Sequence, residues 1–192
     1  MQEPQFRDEE GREPAREKES FLSFLGELPV LIITAIVVAW LIKTFIIQPF
    51  YIPSSSMEPT LLPGDRVLVS KFTYRFGQPD PGDVIVFAAP QARDVAEQDF
   101  IKRIVAVPGM SVEVENGKLL IDGKVQTETY IKPDNINSNF GPSTVPVGKV
   151  FVMGDNRPNS KDSRFFGPID KRELVGKAFF VYWPPGRGGF LR

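Results

Sequence analysis

Residues 28–47 read LPVLIITAIVVAWLIKTFII, and no other stretch constrains the chain as strongly. A helix needs about 20 predominantly apolar residues to cross the hydrocarbon core of a bilayer. Apolar residues occupy every side of the helix this run would form, unlike the single stripe of a surface helix. Lys43 lies near the far end, where its stem reaches the interface. The run predicts a single transmembrane helix over 28–48, with a helix buried in a protein core as the alternative. A cleaved signal peptide fits less well, because the run is too long and no small-residue cleavage site comes after it. Residues 1–20 are mostly charged and polar, with more acids than bases, and predict a disordered acidic tail. Arg7, Arg12, Arg16 and Lys18 precede the run. The positive-inside tendency then puts the N-terminus in the cytoplasm and the residues after the run outside it.

Composition narrows the chemistry. The 192 residues allow one modest domain besides an anchor, and the net charge of −1 argues against a nucleic-acid partner. The chain has no Cys, so it has neither disulfides nor a thiol nucleophile. It also has no His, which excludes a Ser-His-Asp triad and every His-bearing zinc site. A hydrolase built from this sequence takes its base from Lys, Asp, Glu, Tyr or a terminal amine.

Beyond the run the pattern is β. Residues 66–74, 83–87, 100–107, 149–153 and 174–183 are short segments rich in β-formers, bounded by Pro and Gly. Asn116-Gly117 and Asp122-Gly123 separate apolar runs within 112–125, the strongest short-range hairpin signal. Residues 127–146 are rich in Asn, Ser, Pro and Gly and read as a loop excursion. No second helix is predicted. The expected fold is mainly β: a transmembrane helix, then one antiparallel β domain over 49–185 with a small hairpin and loop excursion at 111–146. Residues 186–192 read as a C-terminal tail.

Three segments carry groups capable of chemistry. The first is Pro53-Ser54-Ser55-Ser56-Met57-Glu58-Pro59. Each proline fixes its own φ and restricts the residue before it, so the serines are presented on a stiff loop, where a nucleophile or a plain linker are both admissible. The second is Phe100-Ile101-Lys102-Arg103-Ile104. With a strand period of two, Lys102 shares a face with Phe100 and Ile104. Burial there favours the neutral amine, the form able to act as a base, unless the side chain snorkels to solvent. Lys71 is a weaker rival base, and Arg103 cannot serve because guanidinium stays charged. The third segment, residues 154–164, reads GDNRPNSKDSR and is rich in hydrogen-bonding side chains. It fits either a capped surface loop with Arg164 on Asp162 or a group that orients the lysine. A hydroxyl such as Ser160 suits that task better than a carboxylate, which would favour the ammonium.

Taken in order behind the apolar run, these segments, together with 82–87 (GDVIVF) and Val107-Pro108-Gly109, resemble the boxes of bacterial type I signal peptidases, the serine–lysine membrane proteases of the peptidase S26 type. The resemblance covers the chain from the membrane segment to about Trp183. It implies Ser56 as nucleophile and Lys102 as general base. It implies an oxyanion hole made by the Ser54 hydroxyl and the Ser56 backbone N–H. Ser160 would orient the lysine amine, and Asp162, Arg164 and Arg103 would form a supporting charge network. Phe50, Ile52, Met57, Leu61, Phe100 and Ile101 would line shallow pockets for small side chains one and three residues before the scissile bond. The implied activity is removal of signal peptides from exported preproteins after Ala-x-Ala-type sites, through an acyl-enzyme. No cofactor or metal is implied. The implied partners are signal-peptide-bearing preproteins and the lipid bilayer, with the export translocon as a neighbour and a plasma or thylakoid membrane as the location. Phe50, Tyr51, Trp183 and Phe190 would touch the membrane interface.

The sequence departs from the family pattern at Pro158, where a polar residue is common, at Ser55, often a glycine, and in the short stretch between 109 and 147. A membrane-anchored β adaptor would explain the anchor and strands but not the Ser56, Lys102 and Ser160 set. A serine–lysine self-cleaving regulator shares the chemistry but carries a binding module where this chain has the apolar run. The lack of Ser-x-x-Lys and Lys-Thr-Gly excludes a penicillin-binding enzyme.

Overall fold

The computed structural model describes residues 27–41, 46–88, 99–132 and 139–191. The expected tail at 1–20 lies outside them. The chain divides into two units, Met1–Ile42 and Lys43–Arg192. In the first, residues 27–41 form helix α1. Val30, Leu31, Ile32 and Ile33 are all exposed, and four consecutive positions carry that exposure right round the helix. Among the described residues no helix is long and apolar enough to cross a membrane. The expected 28–48 span is also too long at its far end, because Ile47 and Gln48 belong to a strand.

The second unit is mainly antiparallel β. One sheet contains β1 (Ile47–Tyr51), β2 (Arg66–Ser70), β3 (Val84–Ala88), β4 (Asp99–Ala106), β9 (Lys149–Met153), β10 (Ile169–Asp170), β11 (Leu174–Trp183) and β12 (Gly189–Phe190). Its order is β1-β2-β11-β3-β4-β9-β10, with β12 paired to β11. Pro49 lies in β1, an edge strand, where the missing N–H costs no ladder bond. The pleat of β3 and β4 divides the core. Val84, Val86 and Ile101 pack with Ile52, Met57 and Leu61, whereas Ile85, Phe87 and Ile104 pack with Val150 and Ile169.

The excursion at 111–146 is a sheet of its own. It comprises β5 (Ser111–Glu115), β6 (Lys118–Ile121), β7 (Lys124–Val125) and β8 (Phe140–Thr144), in the order β7-β6-β5-β8. Asn116 and Gly117 (φ 49° and 77°) turn β5 into β6, and Asp122 and Gly123 (φ 52° and 74°) turn β6 into β7, as two-residue I′ hairpins require. Val112, Val114 and Leu119 pack against Val105, Phe151 and Met153, so the small sheet shares a core with the ends of β4 and β9.

Four expectations change. Residues 71–74 leave the strand, and α2 (Thr73–Phe76) is a single helical turn, as is α3 (Ser163–Phe166). β8 lies inside the stretch read as loop. Residues 186–191 are part of the domain: β12 pairs with β11, Leu191 packs against the core, and Arg187 forks the buried Asp65 carboxylate. β1 begins where the membrane segment was expected to continue.

Candidate active site

The serine loop joins β1 to β2. Its base is closed by Ile52 N to Asp65 O and Gly64 N to Ile52 O, both 2.9 Å. The Asp65 carboxylate accepts from Leu62 N at 2.9 Å. Met57 and Leu61 are fully buried and anchor the loop in the core. Ser56, beside Met57, is only 7% exposed.

β4 brings the lysine to it. Lys102 is 4% exposed, and its Nζ donates to Ser56 Oγ at 2.7 Å and to the Ile101 carbonyl at 2.9 Å. The amine lies 5.4 Å from the Phe100 ring centroid. Ser54 Oγ is 3.3 Å from Ser56 Oγ on the exposed side of the loop. Ser56 Oγ is thus within hydrogen-bond reach of both a buried amine and a neighbouring hydroxyl. An amine within 2.7 Å of a hydroxyl oxygen has the reach to take its proton.

The segment after β9 supports the serine from behind. Asn156 N donates to Ser56 O at 3.0 Å, Asn156 Nδ2 to Ser55 O at 3.0 Å, and Asn159 Nδ2 to Ser55 Oγ at 2.7 Å. Gly154 makes this approach feasible. A Cβ there would meet Ser160 Oγ at 2.3 Å and Ser56 O at 2.5 Å. Ser160 Oγ is buried against this glycine with no hydrogen-bond partner, so it does not donate to or accept from Lys102 as expected. The second acceptor on the amine is the Ile101 carbonyl.

The three charged residues expected to form one network fall into two clusters. Asp162 is forked by Arg164, with Nε to Oδ1 at 2.8 Å and Nη2 to Oδ2 at 2.9 Å, and it accepts from Gly154 N at 3.0 Å. Arg103, 1% exposed, forks Asp155 instead, at 2.9 and 2.8 Å. Thr60 Oγ1 donates to the same Asp155 carboxylate at 2.5 Å, which ties the serine loop to both segments. Asp155, Asn156, Asn159 and Thr60 were missed from sequence. One signal pointed to Asp155: a guanidinium on a buried strand needs a carboxylate, and the neighbouring box begins with one. Segment 154–164 is no surface loop, since Asp155, Arg157, Ser160, Asp162 and Ser163 are all buried.

The expected pocket residues separate. Phe50, Ile52, Met57, Leu61 and Ile101 belong to one cluster. Phe100 packs on the other, edge-to-face with Phe87. Ile52, Met57 and Leu61 are buried in the core, and Phe50 is half-buried beside them. Lys71, the rival base, is half-exposed, and its backbone N–H bonds Ile46 O. No group of three or more metal-ligating side chains occurs among the described residues.

Residues 25–183 match the family model described as signal peptidase, peptidase S26. A probable signal peptidase I-1 of Synechocystis sp. is 44% identical over 173 residues, covering 88% of this chain and 87% of the relative. A signal peptidase I of Mycobacterium tuberculosis is 36% identical over 224 residues, covering 88% of this chain and 76% of the relative. A probable thylakoidal processing peptidase 2 of Arabidopsis thaliana is 42% identical over 162 residues, covering 80% of this chain and 43% of the relative. The chain belongs to the signal peptidase family, peptidase S26, and is a hydrolase of that family.

Proposed function

We propose that the protein is a membrane-anchored serine endopeptidase that removes signal peptides from exported preproteins, cutting after small residues of the Ala-x-Ala type. The observation that carries this reading is the 2.7 Å contact between the buried Lys102 amine and Ser56 Oγ in a chain of this family. Burial deprives the ammonium of its hydration and so favours the neutral amine. Neutral Lys102 takes the Ser56 proton as Oγ attacks the scissile carbonyl. The Ser54 hydroxyl and the Ser56 N–H receive the developing oxyanion, a role typically worth about 2.7–4 kcal/mol per donor. Lys102, now an ammonium, protonates the departing amine as the C–N bond breaks. It then accepts a proton from the water that attacks the acyl ester, and Ser56 regains its own proton as the ester bond breaks. Ser160, Asp162, Arg164 and Arg103 are supporting residues. The floor formed by Ile52, Met57 and Leu61, with Phe50 and Ile101 beside it, limits depth and so favours small side chains. Phe100, packed on the other cluster but with its ring 5.4 Å from the Lys102 amine, borders the reacting pair from that side.

The apolar run is the anchor, with the N-terminus cytoplasmic and the β unit outside, on a plasma or thylakoid membrane near the export translocon. The apolar exposure around α1 supports this, because such a surface is stable only in lipid or against a partner. Tyr51 and Trp183 are both registered against Arg66 on adjacent strands, and all three are exposed. This row and the exposed Phe190 are the interfacial contact. The test is cleavage of a membrane-inserted precursor carrying an Ala-x-Ala site. The full chain should release the mature protein and Ser56→Ala should not; equal cleavage by both refutes the reading.

A further inference from the structure

Residues 128–132 come after β7 of the small sheet. Nothing in their composition marks them for chemistry. They touch all three segments that build the site, through side chains at alternate positions. Glu128 forks Arg157 in the segment after β9, with Nη1 to Oε2 at 2.8 Å and Nη2 to Oε1, and both side chains are only 4% exposed. The Tyr130 ring lies under the Arg103 guanidinium, 4.0 Å from centroid to carbon, and Arg103 is the residue next to Lys102. Lys132 Nζ lies 3.4 Å from Glu58 Oε2, two residues beyond Ser56. The Tyr130 hydroxyl donates to Glu128 Oε1 at 2.7 Å and joins the first two contacts into one unit. Burial, then the Glu128 charge, push that phenol well above its ordinary range, so it remains a donor.

The consequences run inward from each contact. Arg157 Nε donates to the Gly154 carbonyl at 3.1 Å, and Gly154 is the residue against which the Ser56 carbonyl packs. Arg103 holds Asp155, and Asp155 holds Thr60 of the serine loop. Guanidinium groups donate to carboxylates in their plane and stack on rings through their faces, so Arg103 is fixed in two directions by Asp155 and Tyr130, and Arg157 in its plane by Glu128 and the Gly154 carbonyl. We infer that residues 128–132 form a clasp: Glu128 and Tyr130 are positioning residues that hold Arg157 and Arg103, and through them the relative placement of Ser56 and Lys102. The excursion is thus a working part of the site. This inference rests on the reading of Ser56 and Lys102 as the reacting pair.

The test compares Tyr130→Leu, Tyr130→Phe and Glu128→Gln in the full chain, with an Ala-x-Ala peptide assayed well below each melting temperature. Tyr130→Leu removes the ring; kcat should fall by about tenfold or more with KM within about twofold, the signature of lost placement. Tyr130→Phe keeps the ring under Arg103 and should return kcat to within about twofold of the parent. Glu128→Gln keeps the shape and weakens the fork, and kcat should fall by about three- to tenfold with KM unchanged. Should Tyr130→Leu fail to fold, Glu128→Gln decides. Parental kcat in the folded variants, a loss confined to KM, or Tyr130→Phe as slow as Tyr130→Leu would overturn the clasp. Those outcomes leave the reacting pair standing, whereas undiminished cleavage by Ser56→Ala removes the pair itself.

Discussion

Gly154→Ala tests how closely the segment after β9 must approach the serine. The new Cβ would lie 2.5 Å from Ser56 O and 2.3 Å from Ser160 Oγ. Ordinary contact starts at 3.4 Å, so the Ser56 carbonyl must retreat by 3.4 − 2.5, or 0.9 Å. The Ser160 hydroxyl can swing away, but the Ser56 carbonyl is backbone. It is also held by Asn156 N at 3.0 Å, so its retreat breaks that bond or drags Oγ off the amine. Overpacking of this size costs about 1–3 kcal/mol of stability. A reacting group displaced by about 1 Å loses on the order of a hundredfold in rate. Peptide cleavage and thermal unfolding, measured on the same preparation, should show kcat/KM down about a hundredfold with the fold retained. Activity within about threefold of the parent would refute the reasoning, since the loop would then tolerate the shift.

The same geometry dictates three further outcomes. In the proposed mechanism the neutral amine is the base and is lost as it takes up a proton, so kcat/KM should rise from acid towards alkaline pH; a rate that falls over that range points to another base. Asp155→Asn leaves the Arg103 guanidinium buried without its carboxylate at 1% exposure. Breaking such a pair costs about 3–5 kcal/mol, or roughly 6–20 °C in Tm for a domain of this size, and calorimetry showing an unchanged Tm would contradict it. Removing residues 186–192 takes Leu191 from the core and Arg187 from Asp65, and should lower Tm by several degrees; full stability would return those residues to the status of a tail.

The parts of the fold legible in the sequence are those with a local signal. β3, β4, β9 and β11 announce themselves as apolar runs bounded by turn residues, and each lies within a residue of its expected place. Asn116-Gly117 and Asp122-Gly123 mark their hairpins because few other pairs accept two positive φ values. β1 was hidden because its first residues continue an apolar run of helical length. β8 was hidden by glycine, proline and serine, the residues that usually signal loops. In the site, Ser56 and Lys102 were visible through their boxes, and the structure brings them together. The pairing of Arg103 with Asp155 was signalled only by the need of a buried guanidinium for a carboxylate, because a contact between residues 52 apart depends on how β4 and β9 pair. The depth of Ile52, Met57 and Leu61 was equally invisible, since pocket wall and core floor look alike as apolar letters. The small sheet's hold on the site had no signature at all, since Glu128, Tyr130 and Lys132 read as ordinary loop residues.

The proposed serine–lysine mechanism requires that the amine of Lys102 is uncharged when it meets the serine. Nitrogen-detected NMR of the lysine side chains in the full chain, tracked through a pH titration and assigned by Lys102→Arg, measures this directly. Lys102 Nζ should titrate clearly below the ordinary lysine value of about 10.4, and its titration should track the rise in cleavage rate. An amine that still carries its proton throughout the range in which the enzyme is active would contradict the mechanism.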